Sequence, residues 1–396
     1  MIKNNIYKIA RNYLNYSIKL RRDFHQHPEL GFQEFRTSKI ISKKLENLGF
    51  DVKENIGKTG ILGLLTGSQP GPTVLLRFDM DALPILEENS IDYISNSLGI
   101  MHACGHDGHM AVGLTLAKII SDHKNKIKGS IKFIFQPAEE GLGGALAVIQ
   151  DGVLENPRPD YSLGLHIWNE QPLGWIGVNP GPMMAGADIF DLTIHGKGGH
   201  GGLPNNTIDP IVAAAQIINA AQSIISRNIS PLEKGVISFG SVNGGSTFNV
   251  IPDKVRLSGT IRTFNSQTRI KIIERLESIS HLIGEAMGCK IEFSINEITP
   301  AVINDPNIAS ALIDIVEKRF PTINIDPTFK SMASEDYSFF LNEVPGCFFF
   351  VGSANPDKGL TYGHHHPRFN FDEDVLSIAV SILMSMIERF GNISFD

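Results

Sequence analysis

Four short stretches of this chain are apolar on nearly every consecutive position: residues 73–78, 131–135, 161–165 and 347–351. Runs of this length, rich in Val, Leu, Ile and Phe, predict strands buried on both faces, as in a parallel sheet. Segments with helical spacing surround them. They cover residues 7–22, 33–48, 110–120, 305–320 and 372–390, and Gly49 stands where a helix C′ residue belongs. The pattern changes in the middle of the chain. Phe190, Leu192 and Ile194 alternate with Asp191, Thr193 and His195, and Val255, Leu257, Gly259 and Ile261 alternate with Lys254, Arg256, Ser258 and Thr260. Alternation predicts strands with only one buried face. Between and after them come a helix opened by Asp209-Pro210 and running to about residue 227, a strand at 236–239, a long helix capped by Ser266 and ending near Gly288, and a strand at 290–295. The order β-α-β-β-α-β is the split ferredoxin-like pattern.

The expected fold class is therefore α/β. A mostly parallel central sheet flanked by helices forms a discontinuous domain, residues 1–185 and 296–396, and an α+β ferredoxin-like domain is inserted at 186–295. The length of 396 residues accommodates both. Apolar residues at 42% supply a full core, and 19% charged residues argue against disorder. The net charge is −7 with no block of Lys or Arg, so neither nucleic acid nor an anionic membrane is expected as a partner. Three cysteines, Cys104, Cys289 and Cys347, are an odd and sparse set that suits free thiols in a reducing compartment. Residues 1–20 mix polar and apolar positions and do not read as a signal peptide. No apolar run reaches the ~18 residues of a membrane span. A cytoplasmic protein is expected.

The candidate chemistry sits where the buried runs end. The first runs into Asp79-Met80-Asp81, the second into Gln136-Pro137-Ala138-Glu139-Glu140-Gly141, and the third into His166. Open α/β sheets bind ligands at that edge. A further cluster, Met101-His102-Ala103-Cys104-Gly105-His106-Asp107-Gly108-His109, packs a thiol, three imidazoles and a carboxylate into nine positions and reads as a loop opening a helix. With one of His364, His365 and His366, the set Cys104, His106, Glu139, Glu140 and His166 suits borderline divalent metals. Thiolate and imidazole favour Zn²⁺, and carboxylates also admit Mn²⁺. Five or six donors exceed one tetrahedral site, which points to two ions. Adjacent Glu139 and Glu140 need separate roles: one as a ligand, the other as a base beside a water acidified by the metal. Asp81 reads equally as a ligand or orienting group and as an Asx turn, whereas Asp79 reads better as a turn or cap before Pro84. His25 and His27 read as a structural turn. His102 and His109 read as supporting or buried histidines.

The inserted segment adds weaker candidates. The loop 195–204 is glycine-rich but lacks the order and the Lys-Ser/Thr ending of a phosphate loop. His200 reads either as an oxyanion stabiliser on a mobile loop or as part of a plain turn. Arg262 ends an alternating strand and could fork onto a carboxylate. Asn249 is a similar polar candidate.

In combination these motifs resemble the amidohydrolase branch of the metallopeptidases. That branch includes hippurate hydrolase, N-acyl-L-amino-acid amidohydrolase and the plant auxin-conjugate hydrolases, with acetylornithine deacetylase and carboxypeptidase G further off. The resemblance runs from Arg21-Arg22-Asp23-Phe24-His25 to Asp372-Glu373-Asp374 and rests on residues 77–84, 101–109, 136–140, 164–166, 199–204 and 365–367 taken in order. It implies a two-metal amidohydrolase, with Zn or Mn favoured and Co or Ni also accommodated, acting on small N-acyl amino acids. It implies that the inserted domain is a lid or dimerisation domain in a homodimer or homotetramer. By motif, Cys104, His106, Glu140, His166 and His365 would be ligands, Glu139 the general base, Asp81 an orienting residue and His200 the lid histidine. Asn249 and Arg262 are the candidates for binding substrate. Asp79 departs from the pattern, standing where distant relatives have a metal-binding His, and Cys104 would supply the missing donor. The rival readings are a metallodipeptidase with the same site, a metal-free cysteine hydrolase with Cys104 as nucleophile, and a non-catalytic metal-dependent binding protein.

Overall fold

The computed structural model describes residues 5–395, so the first four positions of the 1–20 segment lie outside them. The chain divides into two compact units. One comprises residues up to Met183 together with Ile303–Lys330 and Asp336–Asp396. The other comprises Met184–Val302 and a short return at Ser331–Glu335.

The first unit is built on an eight-stranded sheet. Its four central strands, Lys128–Gln136, Gln69–Asp79, Tyr161–Pro172 and Gly346–Ala354, lie side by side in that order and are mutually parallel. These contain the four consecutive apolar runs. Val74, Leu75, Leu76, Phe133, Phe348 and Phe349 are fully buried, so both faces of the sheet are covered. The flanks differ from the mostly parallel sheet expected. Asp51–Ile56 and Gly60–Thr66 pair antiparallel with each other, and the second pairs antiparallel with Lys128–Gln136. Trp175–Gly177 runs antiparallel to Gly346–Ala354 and parallel to Asn324–Asp326. The sheet is therefore mixed, with four parallel strands at its centre and one short parallel pair at an edge.

Helix His106–Asp122 is buried along almost its whole length, and so is Val375–Arg389. A helix that is apolar all round belongs inside the core. The expected single helix over 7–22 is two, Asn5–Asn12 and Leu14–Gln26, separated at Tyr13. Among the described residues, no helix is long and apolar enough to cross a membrane. The three cysteines are free and buried.

The second unit carries a four-stranded antiparallel sheet in the order Gly235–Gly244, Lys254–Thr263, Gly186–His195, Lys290–Thr299. Helices Pro210–Ser223 and Ser266–Ala286 bury Ala213, Ile217, Ile272 and Leu276 in one core with Phe190, Leu192, Ile194 and Leu257. Asp209 caps the first helix, accepting the Ile211 amide at 2.9 Å. That helix ends sooner than expected, and residues 224–228 wind into a wider π turn. The second helix is capped by Asn265, which accepts the amides of Gln267 and Thr268, so Ser266 is its first residue and not its cap.

Candidate metal centre

The expected donors in the first unit meet at the C-terminal edge of its parallel strands, where Asp79 and Gln136 are in register. Gly105 takes a left-handed conformation (φ 94°) that L-residues avoid, and this turns the chain sharply between Cys104 and His106. His106 is already the first residue of the helix, so the cluster straddles the helix start instead of preceding it. Gly108 serves packing, since a Cβ there would come within 2.5 Å of Ile167 Cδ1 and 2.7 Å of Phe371 Cζ.

His106 and His166 are each oriented through one nitrogen. His106 Nδ1 lies 2.9 Å from the backbone oxygen of Asp81, which makes it the donor and leaves Nε2 as the nitrogen that would face a metal. That Nε2 is buried and has no hydrogen-bond partner. His166 sits within its strand; its Nδ1 lies 2.7 Å from the Ile167 carbonyl and its Nε2 3.5 Å from Cys104 Sγ. An N–H held by a carbonyl while the other nitrogen faces inward is the usual arrangement of metal-binding histidines. Among the three loop histidines, His364 Nε2 accepts the Asn169 amide and His366 Nδ1 accepts the Arg368 amide. His365, in a left-handed conformation (φ 63°), brings its Nε2 to 3.3 Å from Glu140 Oε1.

Cys104, His106 and His166 present donor atoms within 4.8 Å of one another, and so do Cys104, Glu140 and His365. The two triads share only Cys104. His106, Glu139 and Glu140 form a third such group. Glu140 Oε1 and His106 Nε2 are both buried and make no hydrogen bond, and the His365 Nε2 3.3 Å from Glu140 Oε1 is an ion-pair contact only. Buried polar atoms left unpaired are costly, and a cation would satisfy both.

The electrostatics fit the same reading. Burial, with Glu140 and Glu139 beside it, pushes the Cys104 thiol well up. Burial works to lower His106, but Asp79, Asp81 and Glu140 outweigh it and raise the imidazole to about 10. Burial and the neighbouring His109 and His364 hold His166 well below its ordinary value. Burial brings His102 down to about 4 and leaves it neutral. The set Cys104, His106, Glu140, His166 and His365 suits one or two divalent ions, with the mixture of sulfur, nitrogen and oxygen donors that zinc and manganese sites use.

Supporting residues surround these donors. Asp81 accepts the Glu140 amide at 3.0 Å through Oδ2, and its Oδ1 lies 3.3 Å from His106 Nδ1. Asp79 is no turn residue: its buried carboxylate accepts from Arg77 at 2.6 Å and from His109 at 2.5 Å. Arg77 Nη2 continues to Asp336, which also accepts the Gln136 side chain and the Ala145 amide. His25 is likewise buried, between Asp107 and Glu87. Arg21 donates to Asp107 and Asn370. The sequence reading passed over Glu34 and Asp336 and counted Asp107 only as the carboxylate of the 101–109 cluster, without its partners Arg21 and His25. Arg77 carried a signal, as a charge inside an apolar strand.

The remaining candidates belong to the second unit. His200 is exposed, and its Nδ1 accepts the Gly202 amide at 2.9 Å. The short strand Gly199–His200 pairs with Val250–Ile251, and Asn249 O accepts the Gly201 amide at 2.8 Å, so His200 and Asn249 are neighbours. Arg262 is half-buried and donates to Ser334 Oγ at 2.7 Å.

A mixed α/β sheet with this donor cluster at its strand ends offers a site able to hold divalent cations. Residues 75–389 match the model of peptidase family M20/M25/M40, and the chain belongs to that family. It is 39% identical to the N-acetyl-L-cysteine deacetylase of Bacillus subtilis (strain 168), over 94% of this chain and 87% of the relative. It is 38% identical to thermostable carboxypeptidase 1 of Saccharolobus solfataricus, over 99% of this chain and 98% of the relative. The crystal structure of the Bacillus subtilis YXEP protein, a dinuclear metal-binding peptidase of the M20 family, superposes with a TM-score of 0.84 at 33% identity, covering 97% of this chain and all of that one. Family membership makes the protein an enzyme that hydrolyses amide bonds.

Proposed function

We propose that the enzyme cleaves the amide bond of N-acyl amino acids, releasing a carboxylic acid and a free amino acid. The observation that supports this most is the gathering of Cys104, His106, Glu140, His166 and His365 donor atoms about a shared thiol, with His106 Nε2 buried and without a hydrogen bond. Cys104, His106, Glu140, His166 and His365 would hold two divalent ions, zinc or manganese by donor type. When bound, the ions supply Lewis acidity towards the acyl carbonyl and towards water. Glu139 acts as general base: it takes a proton from the attacking water and returns it to the leaving amine as the C–N bond breaks. Asp81 orients His106 through its backbone oxygen and Glu140 through its carboxylate. On side-chain chemistry, His200 is assigned to the oxyanion, Arg262 to the substrate carboxylate and Asn249 to a hydrogen bond with substrate. The second unit, with its ferredoxin-like element order, is assigned as a lid and dimerisation domain of a homodimer or homotetramer.

The likeness to a carboxypeptidase favours a second reading, cleavage of unblocked peptides at the same site. The cysteine-nucleophile reading is weakened by the raised Cys104 thiol, since the thiolate is the nucleophile. Comparing kcat/KM for N-acetyl and N-benzoyl amino acids with that for unblocked dipeptides decides between the first two. The proposal expects the acyl substrates to win, with activity lost to a chelator and restored by metal. Faster turnover of the dipeptides overturns it.

A further inference from the structure

Glu139 lies on a turn that two buried carboxylates grip from either side. On one side, Asp81 accepts the amide of Glu140. On the other, Glu34 Oε1 accepts the amide of Ala138 at 3.0 Å. Ala138 is fully buried and left-handed (φ 55°), a conformation that a non-glycine residue keeps only when its surroundings hold it.

Glu34 is itself fixed. It is fully buried, and its Oε2 accepts the Thr59 hydroxyl at 2.5 Å. The same segment presses on the turn directly, because a Cβ on Gly31 would stand 3.0 Å from both Cα and Cβ of Ala138. The far side of the turn closes on itself: the Gly144 amide donates to the Ala138 carbonyl at 3.1 Å. The Glu34, Thr59, Gly31 and Gly144 contacts touch no side chain of the proposed ligand set. They act on the backbone that carries Glu139.

We infer that Glu34 is a positioning residue for Glu139, holding the Ala138 amide so that the base is presented in one geometry. This rests on the reading of Glu139 as the base. A displacement of about 1 Å at a reacting group costs on the order of a hundredfold in rate. The Glu34 hydrogen bond holds the Ala138 amide, and its loss loosens that side of the turn.

The test compares Glu34→Ala, Glu34→Gln and Thr59→Val with the wild-type holoenzyme. Kinetics on an N-acyl amino acid, metal content and amide hydrogen exchange of residues 137–144 are measured for each. Glutamine can accept from the Ala138 amide and donate to Thr59, so Glu34→Gln retains most of kcat. Glu34→Ala lowers kcat by about a hundredfold with KM and metal content unchanged, and hydrogen exchange rises in 137–144. Thr59→Val, which removes one hydroxyl at nearly equal volume, shifts kcat and exchange the same way by less and serves if the alanine variant does not fold.

Unchanged kcat and exchange in Glu34→Ala and Thr59→Val overturn the inference. So does a loss as large in Glu34→Gln as in Glu34→Ala, or a loss matched by lost metal. Hydrogen exchange needs no substrate. Loosening of 137–144 in an enzyme that turns over no N-acyl amino acid therefore upholds the clamp and counts against the proposed reaction, whereas normal turnover with no loosening counts against the clamp alone.

Discussion

Asp79 and His109 meet across 2.5 Å, Oδ1 to Nδ1, and the other nitrogen of the same imidazole accepts the Ile167 amide at 2.9 Å. Both nitrogens of His109 are thereby occupied, although His106, three residues earlier, has one to spare. His109→Gln is expected to bind as many ions as the wild type, whereas His106→Gln loses at least one; elemental analysis of the purified variants checks this. Burial works to raise the Asp79 carboxyl, but the neighbouring His106, His109 and Arg77 hold it well below the ordinary range. Asp79→Asn leaves the buried Arg77 short of a charge partner and is expected to cost about 3 kcal/mol in denaturant unfolding.

Metal binding is expected to release protons. The metal-free site holds a thiol pushed up by burial and carboxylates, and an imidazole, His106, raised to about 10. At neutral pH both are protonated, and both must lose a proton to act as donors. Two protons per filled site follow from these groups, so affinity rises with pH through the neutral range by up to about a hundredfold per unit. Calorimetric titration of the metal-free protein in buffers of different ionisation enthalpy counts them. A proton count of zero contradicts the donor assignment.

Glu34 carries a pH signature of its own. Burial raises its carboxyl to about 7 against hydrogen bonds that lower it. In the unfolded chain it titrates near 4.5. Between these values the folded protein binds a proton that the unfolded chain does not. The stability that this proton linkage contributes is fully present below pH 4.5 and is lost as pH rises towards 7. Gln at this position does not titrate. The thermal stability of Glu34→Gln relative to wild type is therefore expected to increase from pH 5 to pH 8, as read by melting temperature. A difference that is flat across that range contradicts the raised carboxyl.

Much of the first unit was readable in its sequence because burial on both faces leaves a local mark: runs such as residues 131–135 stay apolar whatever they pair with. Glu140 and His166 were readable for a related reason, as they follow those runs, and Cys104 and His106 stood out as a local cluster of thiol and imidazole. What escaped depends on distant partners. Arg77 and Asp336 are 259 positions apart, and no spacing rule connects them. Glu34 lies in an unremarkable polar stretch, and its role depends on where Ala138 falls in space. The short flanking strands, such as Trp175–Gly177, are too brief for any periodicity to show. The cap of the long helix was misplaced by one residue, because Asn265 and Ser266 are both good caps and only backbone geometry selects between them.

The central claim is that Glu139 moves the proton while its neighbours hold metal, and Glu139→Gln tests it most directly. The variant is isosteric and removes only the basicity. Metal content and kcat measured on the same preparation should show the wild-type complement of ions with kcat lowered by about 10²- to 10⁴-fold. Full turnover with the ions in place, or loss of the ions together with the activity, would contradict the account.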